Sequence, residues 1–282
     1  MKILTIGLLI LVMMSGPLNA DNPSAANNKI TLNLDDTSEI LVTGSIAPVG
    51  ESLSDNFKQW DELVNLRVAE LEKRHPASVF QAFLPNKPVA VGDLWVPDML
   101  RVVTLLKQLH PNPNFFLHIN AGDSFGLWAC LRGYNDQYAD IVFRIHAEFK
   151  LKDGWFTPSQ FTGHLVVDRI KEKVTFFEMY VPDGIINFDV NWKKDKNADY
   201  HVTGVGFCPK MELRAGTQDL LENLEFTEAI TQAAAERALI LRFYKSEQIN
   251  WVPLNQVLEM AEAQQKPIHV ISIDGPLTDE SC

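Results

Sequence analysis

Basic residues, cysteines and long hydrophobic runs are all scarce in this 282-residue sequence. Its 25 lysines and arginines are outnumbered by 36 aspartates and glutamates, which gives a formal net charge of -11 at neutral pH. Because an acidic surface repels phosphate groups, nucleic acid and anionic lipid are set aside as partners. The hydrophobic share of 46% is nevertheless that of a folded globular protein.

Familiar catalytic motifs are missing as well. The sequence contains no glycine-rich phosphate loop and no nucleophile elbow around a serine. Asp195, Asn197 and Asp199 have the spacing of the first ligands of a calcium loop. However, Tyr200 stands where that loop needs glycine, and Gly206 where it needs glutamate. We therefore expect a polar turn here, and neither a metal nor an organic cofactor in the chain.

The apolar run at the N-terminus has the character of a secretory signal. Lys2 supplies the positive start, residues 3–14 are apolar, and residues 15–20 form a plausible cleavage region. The run is shorter than the roughly 20 residues that a membrane-spanning helix requires. We expect the protein in the secretory pathway: periplasmic or secreted in a bacterium, or in the endoplasmic reticulum of a eukaryote. Attachment to a membrane would then require an uncleaved signal.

The three cysteines lie in different surroundings. Cys130 and Cys208 lie in apolar, strand-like stretches typical of buried thiols, although an oxidising compartment would also allow them to pair. Cys282 follows a polar turn, which itself follows a β-branched run at 268–273. A helix, a strand, a turn and a cysteine open a thioredoxin-like unit, and a single strand would leave an unpaired edge. We expect the polypeptide to continue beyond Cys282; an incidental tail cysteine is the alternative.

Hydrophobic periodicity separates helical from strand-like regions. Apolar residues on one face predict a helix over 55–74, and a second helix is expected from Pro97 to the break at Pro111. A further helix is expected to open at Pro253. From 114 to about 213 the period is two, which predicts antiparallel strands with one wetted face. The strand candidates are 115–120, 141–149, 161–168, 174–181, 186–192 and 200–213.

These patterns predict an α+β fold in which an antiparallel β-rich domain has flanking helices. The expected parts are a signal peptide at 1–20, a mostly helical region at 21–113 and the β domain at 114–215. Residues 216–282 are expected to form a helical connector and the truncated start, helix and strand, of a thioredoxin-like domain.

One predicted strand carries residues suited to chemistry. Alternation places Arg144, His146 and Glu148 on one face, and His164 lies on a possible neighbouring strand. Such a group could bind a metal or act in acid–base catalysis. A solvated polar face with cross-strand ion pairs is favoured instead, since no metal-ligand motif is present. The aromatic stretch 155–161 is interpreted as a turn whose rings pack against the core.

Several stretches of the sequence resemble the selenoprotein N family. They are 143–149, 156–164, 181–182, 187–192 and 209–213, and the tail 274–282 is similar to the approach to that family's redox motif, Ser-Cys-selenocysteine-Gly. The resemblance is good over about 140–282 and loose over 21–139.

The resemblance implies a thiol/selenol–disulfide oxidoreductase with protein thiols or disulfides as partners and an unknown reductant. Ser281 and Cys282 match the serine and cysteine of the motif, and selenocysteine would follow at a codon normally read as stop. The selenol would attack, and Cys282 would resolve the mixed bond. The EF-hand of the vertebrate members is not recognisable here, so calcium binding is not carried over. A non-enzymatic β-rich binding module with an incidental C-terminal cysteine is the alternative.

Overall fold

The computed structural model describes residues 28–35, 37–49, 55–115, 126–184, 186–195, 197, 201–243, 249 and 251–270. The described residues belong to two compact units, residues 28–243 and residues 249–270. In its described part, the first unit is built on two antiparallel sheets, of nine and of five strands.

The strands are β1 (Glu39–Ile46), β2 (Glu72–Pro76), β3 (Leu94–Trp95), β4 (Pro113–Asn114), β5 (Leu127–Tyr134), β6 (Tyr138–Ile145), β7 (Glu148–Leu151), β8 (Gly154–Pro158), β9 (Phe161–Asp168), β10 (Lys173–Tyr180), β11 (Phe188–Trp192), β12 (Val202–Gly206), β13 (Met211–Ala215) and β14 (Glu228–Ala229). The helices are α1 (Asp61–Val64), α2 (Ala77–Gln81), α3 (Met99–Leu109), α4 (Asp219–Glu222), α5 (Gln232–Phe243) and α6 (Leu254–Gln264), with a 3₁₀ turn at Asp55–Gln59.

The larger sheet has the order β14-β5-β6-β9-β10-β13-β1-β2, and β3 also pairs with β5. The smaller sheet has the order β12-β11-β8-β7-β4. At the centre of the larger sheet, Val142 of β6 lies between Cys130 of β5 and His164 of β9. Every residue of β9 is buried, so both faces of the sheet are covered at this strand.

The inner face of the larger sheet packs on aromatic rings. The rings of Phe83 and Phe143 have centroids 4.6 Å apart, and Phe177 stacks on Phe143 at 5.8 Å. Gly163 permits this packing, because a Cβ there would lie 2.5 Å from the Phe143 ring and 2.1 Å from the carbonyl oxygen of Glu178. A larger residue at this position would force the ring and the neighbouring strand apart.

Helix α5 covers the outer face of the same sheet. Its residues Ala235, Leu239 and Phe243 recur at every fourth position and form one buried stripe. The stripe contacts the side chains of β5 and β6 that point outward, Trp128, Cys130 and Val142. The guanidinium of Arg242 lies 3.9 Å from the centre of the Trp128 ring, which adds a cation–π contact at the end of the helix.

The helix predicted over 55–74 is wrong. The chain forms the 3₁₀ turn, the short helix α1 and then strand β2. The indole of Trp60 stacks on that of Trp192 at 5.5 Å and donates a hydrogen bond from Nε1 to the carbonyl of Lys152 at 3.1 Å. Burial of this ring against the smaller sheet therefore overrides the helical periodicity.

Several of the other predicted elements agree with the structure. The α+β class is confirmed, and α3 and α6 begin close to Pro97 and Pro253 as predicted. The segment 141–149 divides into β6 and β7, and 200–213 divides into β12 and β13, because the chain changes sheet or turns back within each. Within 155–161, the expected turn is largely strand β8.

The larger sheet includes β1 and β2, which come from the region expected to be mostly helical, and β14, which follows residue 215. Residues 268–270 form no strand, and the thioredoxin-like start is not confirmed.

Residues 1–20, 116–120 and 271–282 lie outside the described residues. Among the described helices, none is both long enough and apolar enough to cross a bilayer.

Candidate functional site

Ser281 and Cys282, the residues predicted to be catalytic, lie outside the described residues. The group considered on one strand is divided by the fold. Arg144 lies on β6 of the larger sheet, whereas His146 lies in the link that follows and Glu148 begins β7 of the smaller sheet. In the described part of the chain, no three His, Cys, Asp or Glu side chains are placed to hold a metal ion.

A different polar group lies where α5 meets the outer face of the larger sheet. We call it the buried polar cluster, and its members are Arg132 of β5, Asp140 of β6, His164 of β9, and Gln232 and Glu236 of α5. Strand alternation turns Asp140 outward, away from the apolar inner face. Gln232 and Glu236 are four residues apart, so they are neighbours on one face of the helix.

Asp140 is the centre of the buried polar cluster. Its side chain is completely buried, and its Oδ1 lies 3.0 Å from Nδ1 of His164. Its Oδ2 accepts a hydrogen bond of 2.5 Å from Nε of Arg132. A buried carboxylate is tolerated only when it is paired and hydrogen-bonded, so both partners are needed to keep this charge inside the protein.

The amide of Gln232 connects the imidazole to the helix. Its Nε2 lies 3.0 Å from Nε2 of His164 and 2.7 Å from Oε1 of Glu236. An amide nitrogen carries two hydrogens and no acceptor, so it donates to both groups. In this arrangement Nε2 of His164 accepts from Gln232, and Nδ1 faces the carboxylate of Asp140.

The two described cysteines are free, buried thiols, so they do not pair with each other. Burial raises the pKa of Cys130 to about 12, and the carboxylates of Asp93 and Asp140 act in the same direction. Burial also raises the pKa of Cys208, although a backbone hydrogen bond with Lys210 opposes the shift. Since the thiolate is the reactive form, neither cysteine is suited to thiol–disulfide exchange.

A second titratable group lies on the smaller sheet. Burial raises the pKa of Asp189 in β11 from 3.8 to about 6, and the negative charge of Glu148 adds to this. A hydrogen bond from Thr157 and the charge of His146 act in the opposite direction. This carboxyl therefore binds its proton more tightly in the folded chain than in the unfolded chain.

Asp189→Asn is expected to flatten the dependence of stability on pH between about 4 and 6. Because the folded pKa is raised, the stabilising effect of Asp189 is fully present below the unfolded value and is lost as pH rises through the folded value. The variant should therefore be more stable than the parent at pH 7. Urea unfolding at several pH values measures this, and parallel pH profiles for the two proteins would contradict it.

A cleft of about 510 Å³ opens beside the stacked pair Trp60 and Trp192. Its polar lining carries negative charge from Asp61, Glu62 and Asp153 and positive charge from Lys152 and Lys194, with the neutral amide of Asn65 beside them. Such a lining can pair with a polar polypeptide segment that itself carries both charges.

Sequence reasoning singled out His164 but grouped it with Arg144, His146 and Glu148, and it missed the other members of the buried polar cluster and the cleft. Asp140 offered one signal, since it is the charged residue within the apolar stretch Ala139 to Phe143. The other members of the cluster are far apart in the chain; Gln232 follows His164 by 68 residues. No local pattern joins them, because their proximity depends on how α5 packs on the sheet.

Comparisons with known proteins give three relatives. The chain is 30% identical to selenoprotein N of Danio rerio over 73% of this chain and 47% of the relative. It is 26% identical to selenoprotein N of Mus musculus, over 72% of this chain and 46% of the relative. Identity to selenoprotein N of Homo sapiens is also 26%, over 72% of this chain and 43% of the relative. The chain thus spans about half the length of the curated relatives it matches. No family profile and no solved structure matches it.

Proposed function

Because this chain belongs to the selenoprotein N family, we propose that it is part of a thiol/selenol–disulfide oxidoreductase of the secretory pathway. The observation that carries the proposal is the similarity to selenoprotein N over nearly three quarters of the chain. The tail supports it, because Ser281 and Cys282 match the first two residues of the Ser-Cys-selenocysteine-Gly motif. In this proposal a selenocysteine follows Cys282 in the complete protein.

The reaction would proceed by two exchanges. The selenolate attacks one sulfur of a substrate disulfide, which forms a sulfur–selenium bond and releases the other sulfur as a thiolate. The thiolate of Cys282 then attacks the selenium, which forms the internal sulfur–selenium bond and releases the second substrate thiolate. The substrate has gained two electrons, and a cellular dithiol would return the oxidised pair to thiol and selenol.

The described part of the chain is compatible with this role in two ways. Cys130 and Cys208 are buried and held as protonated thiols, so Cys282 remains as the cysteine suited to exchange. The β-rich unit would hold or present the partner protein. The cleft beside Trp60 and Trp192 supports this part of the proposal, since it has a volume of about 510 Å³ and carries groups of both charges.

An extended version of the protein tests the proposed activity. The coding frame is read through to its next stop codon, with cysteine in the place of selenocysteine. The extended protein is expected to reduce a disulfide reporter, whereas the protein ending at Cys282 should do so weakly or not at all. The extended protein without activity, but with a cooperative unfolding transition, would contradict the assignment.

The native protein tests the selenocysteine separately. Mass spectrometry of its C-terminal peptides is expected to find selenium directly after Cys282. A peptide ending at Cys282 as the sole form would refute this part of the proposal.

A binding module without enzymatic activity is the second candidate, and the cleft is the observation that favours it. Under this alternative the extended protein would still capture partner proteins. Capture would be unaffected by Cys282→Ser and weakened by reversing the charge of Lys194, which lines the cleft. Loss of capture in Cys282→Ser would favour the redox assignment.

A further inference from the structure

We propose that the outer edge of β12 binds an extended polypeptide segment of a partner protein, which adds a further strand to the five-stranded sheet. The segment pairs through its main chain with Thr203 and Val205, and its charged side chains reach the cleft beside Trp60 and Trp192. The partner of the proposed function would then be bound as an unfolded or extended chain. This use of the edge rests on that function, whereas the binding itself does not.

The edges of the two sheets differ in how far they resist pairing with another chain. An edge strand offers unpaired N–H and C=O groups, and natural proteins block it with charges, proline or short length. Strands β14, β4 and β3 have two residues each. Strand β2 carries three charged residues and ends at Pro76. Strand β12 spans Val202–Gly206 with neither a charge nor a proline, so among the described edge strands it is the one best suited to accept a partner.

The hydrogen bonds of the neighbouring strand β11 show which way its backbone groups point. Before its first residue, the carbonyl of Asn187 accepts from the amide of Ser159 at 2.8 Å. After its last residue, the amide of Lys193 donates to the carbonyl of Asp153 at 2.7 Å. Both bonds run toward β8, so the odd-numbered residues of β11 direct their main-chain groups to β8 and the even-numbered ones to β12.

The pairing of β12 follows from this alternation. Its residues Val202, Gly204 and Gly206 are the register partners of the even-numbered residues of β11. Thr203 and Val205 lie between them, so they direct N–H and C=O away from β11. Within the described part of the chain, neither residue makes another main-chain hydrogen bond. Two donors and two acceptors are therefore presented along this edge.

The side chains around β12 favour an added strand. The ring of Phe57 is buried against the backbone of Gly204, where a Cβ would lie 2.0 Å from it. This packing holds the strand in its extended form, so little ordering is needed when a partner binds. Thr203 and Val205 point to the opposite face, where β-branched side chains form favourable cross-strand pairs.

The cleft lies at the end of the sheet where β12 begins. Val202 is the register partner of Trp192, which lines the cleft. Lys152, Asp153 and Lys194 line the same cleft and are exposed. A complementary segment therefore has uncharged, β-branched residues beside β12 and both an acidic and a basic residue at the end that reaches the cleft.

Hydrogen exchange followed by NMR tests strand addition on the full chain. The probe is a short capped peptide in which threonine and valine alternate, with a glutamate and a lysine at one end. At saturation it is expected to slow amide exchange at Thr203 and Val205 about tenfold, whereas Val202 and Gly204, already paired with β11, should not change. The same peptide methylated at every amide nitrogen lacks main-chain donors and should give no protection. Equal protection by both peptides, or none by either, would overturn the proposal.

Val205→Pro tests the edge from the side of the protein. It removes one outward N–H and leaves the pairing of Gly204 and Gly206 with β11 in place, so the fold should persist. The affinity for the unmethylated peptide is expected to fall about tenfold, as for the loss of one hydrogen bond. Val205→Thr retains the amide and should bind within about twofold of the parent. Equal affinity of Val205→Pro and the parent would contradict strand addition.

A second copy of this chain is the competing occupant of the edge. Without peptide, exchange at Thr203 and Val205 should be independent of protein concentration. Protection that rises with protein concentration would show pairing between two copies, and it would overturn the assignment of this edge to a partner protein.

Discussion

Cys282→Ser in the extended protein is expected to abolish turnover of a disulfide reporter. The residue that follows can still attack the substrate, but serine cannot displace the mixed bond, so the substrate stays covalently attached. Release of reporter thiol measures turnover, and a non-reducing gel shows the trapped species. A trapped species together with loss of turnover would identify Cys282 as the residue that resolves the mixed bond.

Cys130→Ala is the matched control for this variant. It also removes one sulfur, but from a buried thiol whose pKa is raised to about 12. Turnover is expected to remain within about twofold of the parent, since such a thiol does not take part in exchange. Equal turnover in Cys282→Ser and the parent would remove Cys282 from the mechanism.

Asp140→Ala is expected to lower the free energy of unfolding by about 3–5 kcal/mol, because it leaves a buried charge without its partner. Asp140 is completely buried, and the side chain of Arg132 retains only 16% of its exposure. Both Arg132 and His164 would lose their acceptor. Urea unfolding followed by circular dichroism measures the effect.

Lys210→Ala is the control for Asp140→Ala, since it also removes one half of an ion pair. Nζ of Lys210 lies 2.9 Å from Oε1 of Glu212, but the lysine side chain is 52% exposed. Exposed pairs contribute about 1 kcal/mol or less, so this change should be small. A similar, small effect of both substitutions would show that the buried polar cluster contributes little to stability.

The sequence was sufficient to predict elements whose ends are marked locally. A proline opens α3 and α6, and alternation of apolar and polar residues identifies β11. The helix predicted over 55–74 is wrong because Trp60, which fits the helical periodicity, packs instead on Trp192, far away in the chain. Such tertiary contacts leave no local signal.

The candidate sites differ in the same way. The tail with Ser281 and Cys282 was proposed from sequence alone, because the redox motif that it resembles is contiguous, and it stays a prediction. Arg144 and Glu148 were expected on one face, but alternation continues across a change of sheet and cannot reveal it. The contact between His164 and Gln232 required the fold, since it joins a strand to a helix 68 residues later.

The passage from β6 to β7 has a consequence for how this protein can vary. Only His146 and Ala147 separate the two strands, and both are buried at 2% and 1% exposure. The amide of His146 also donates to the carbonyl of Gly126 at 2.8 Å. One added or deleted residue would reverse which side chains of β7 face inward. Insertions and deletions between β6 and β7 should therefore destabilise the protein more than those in surface loops.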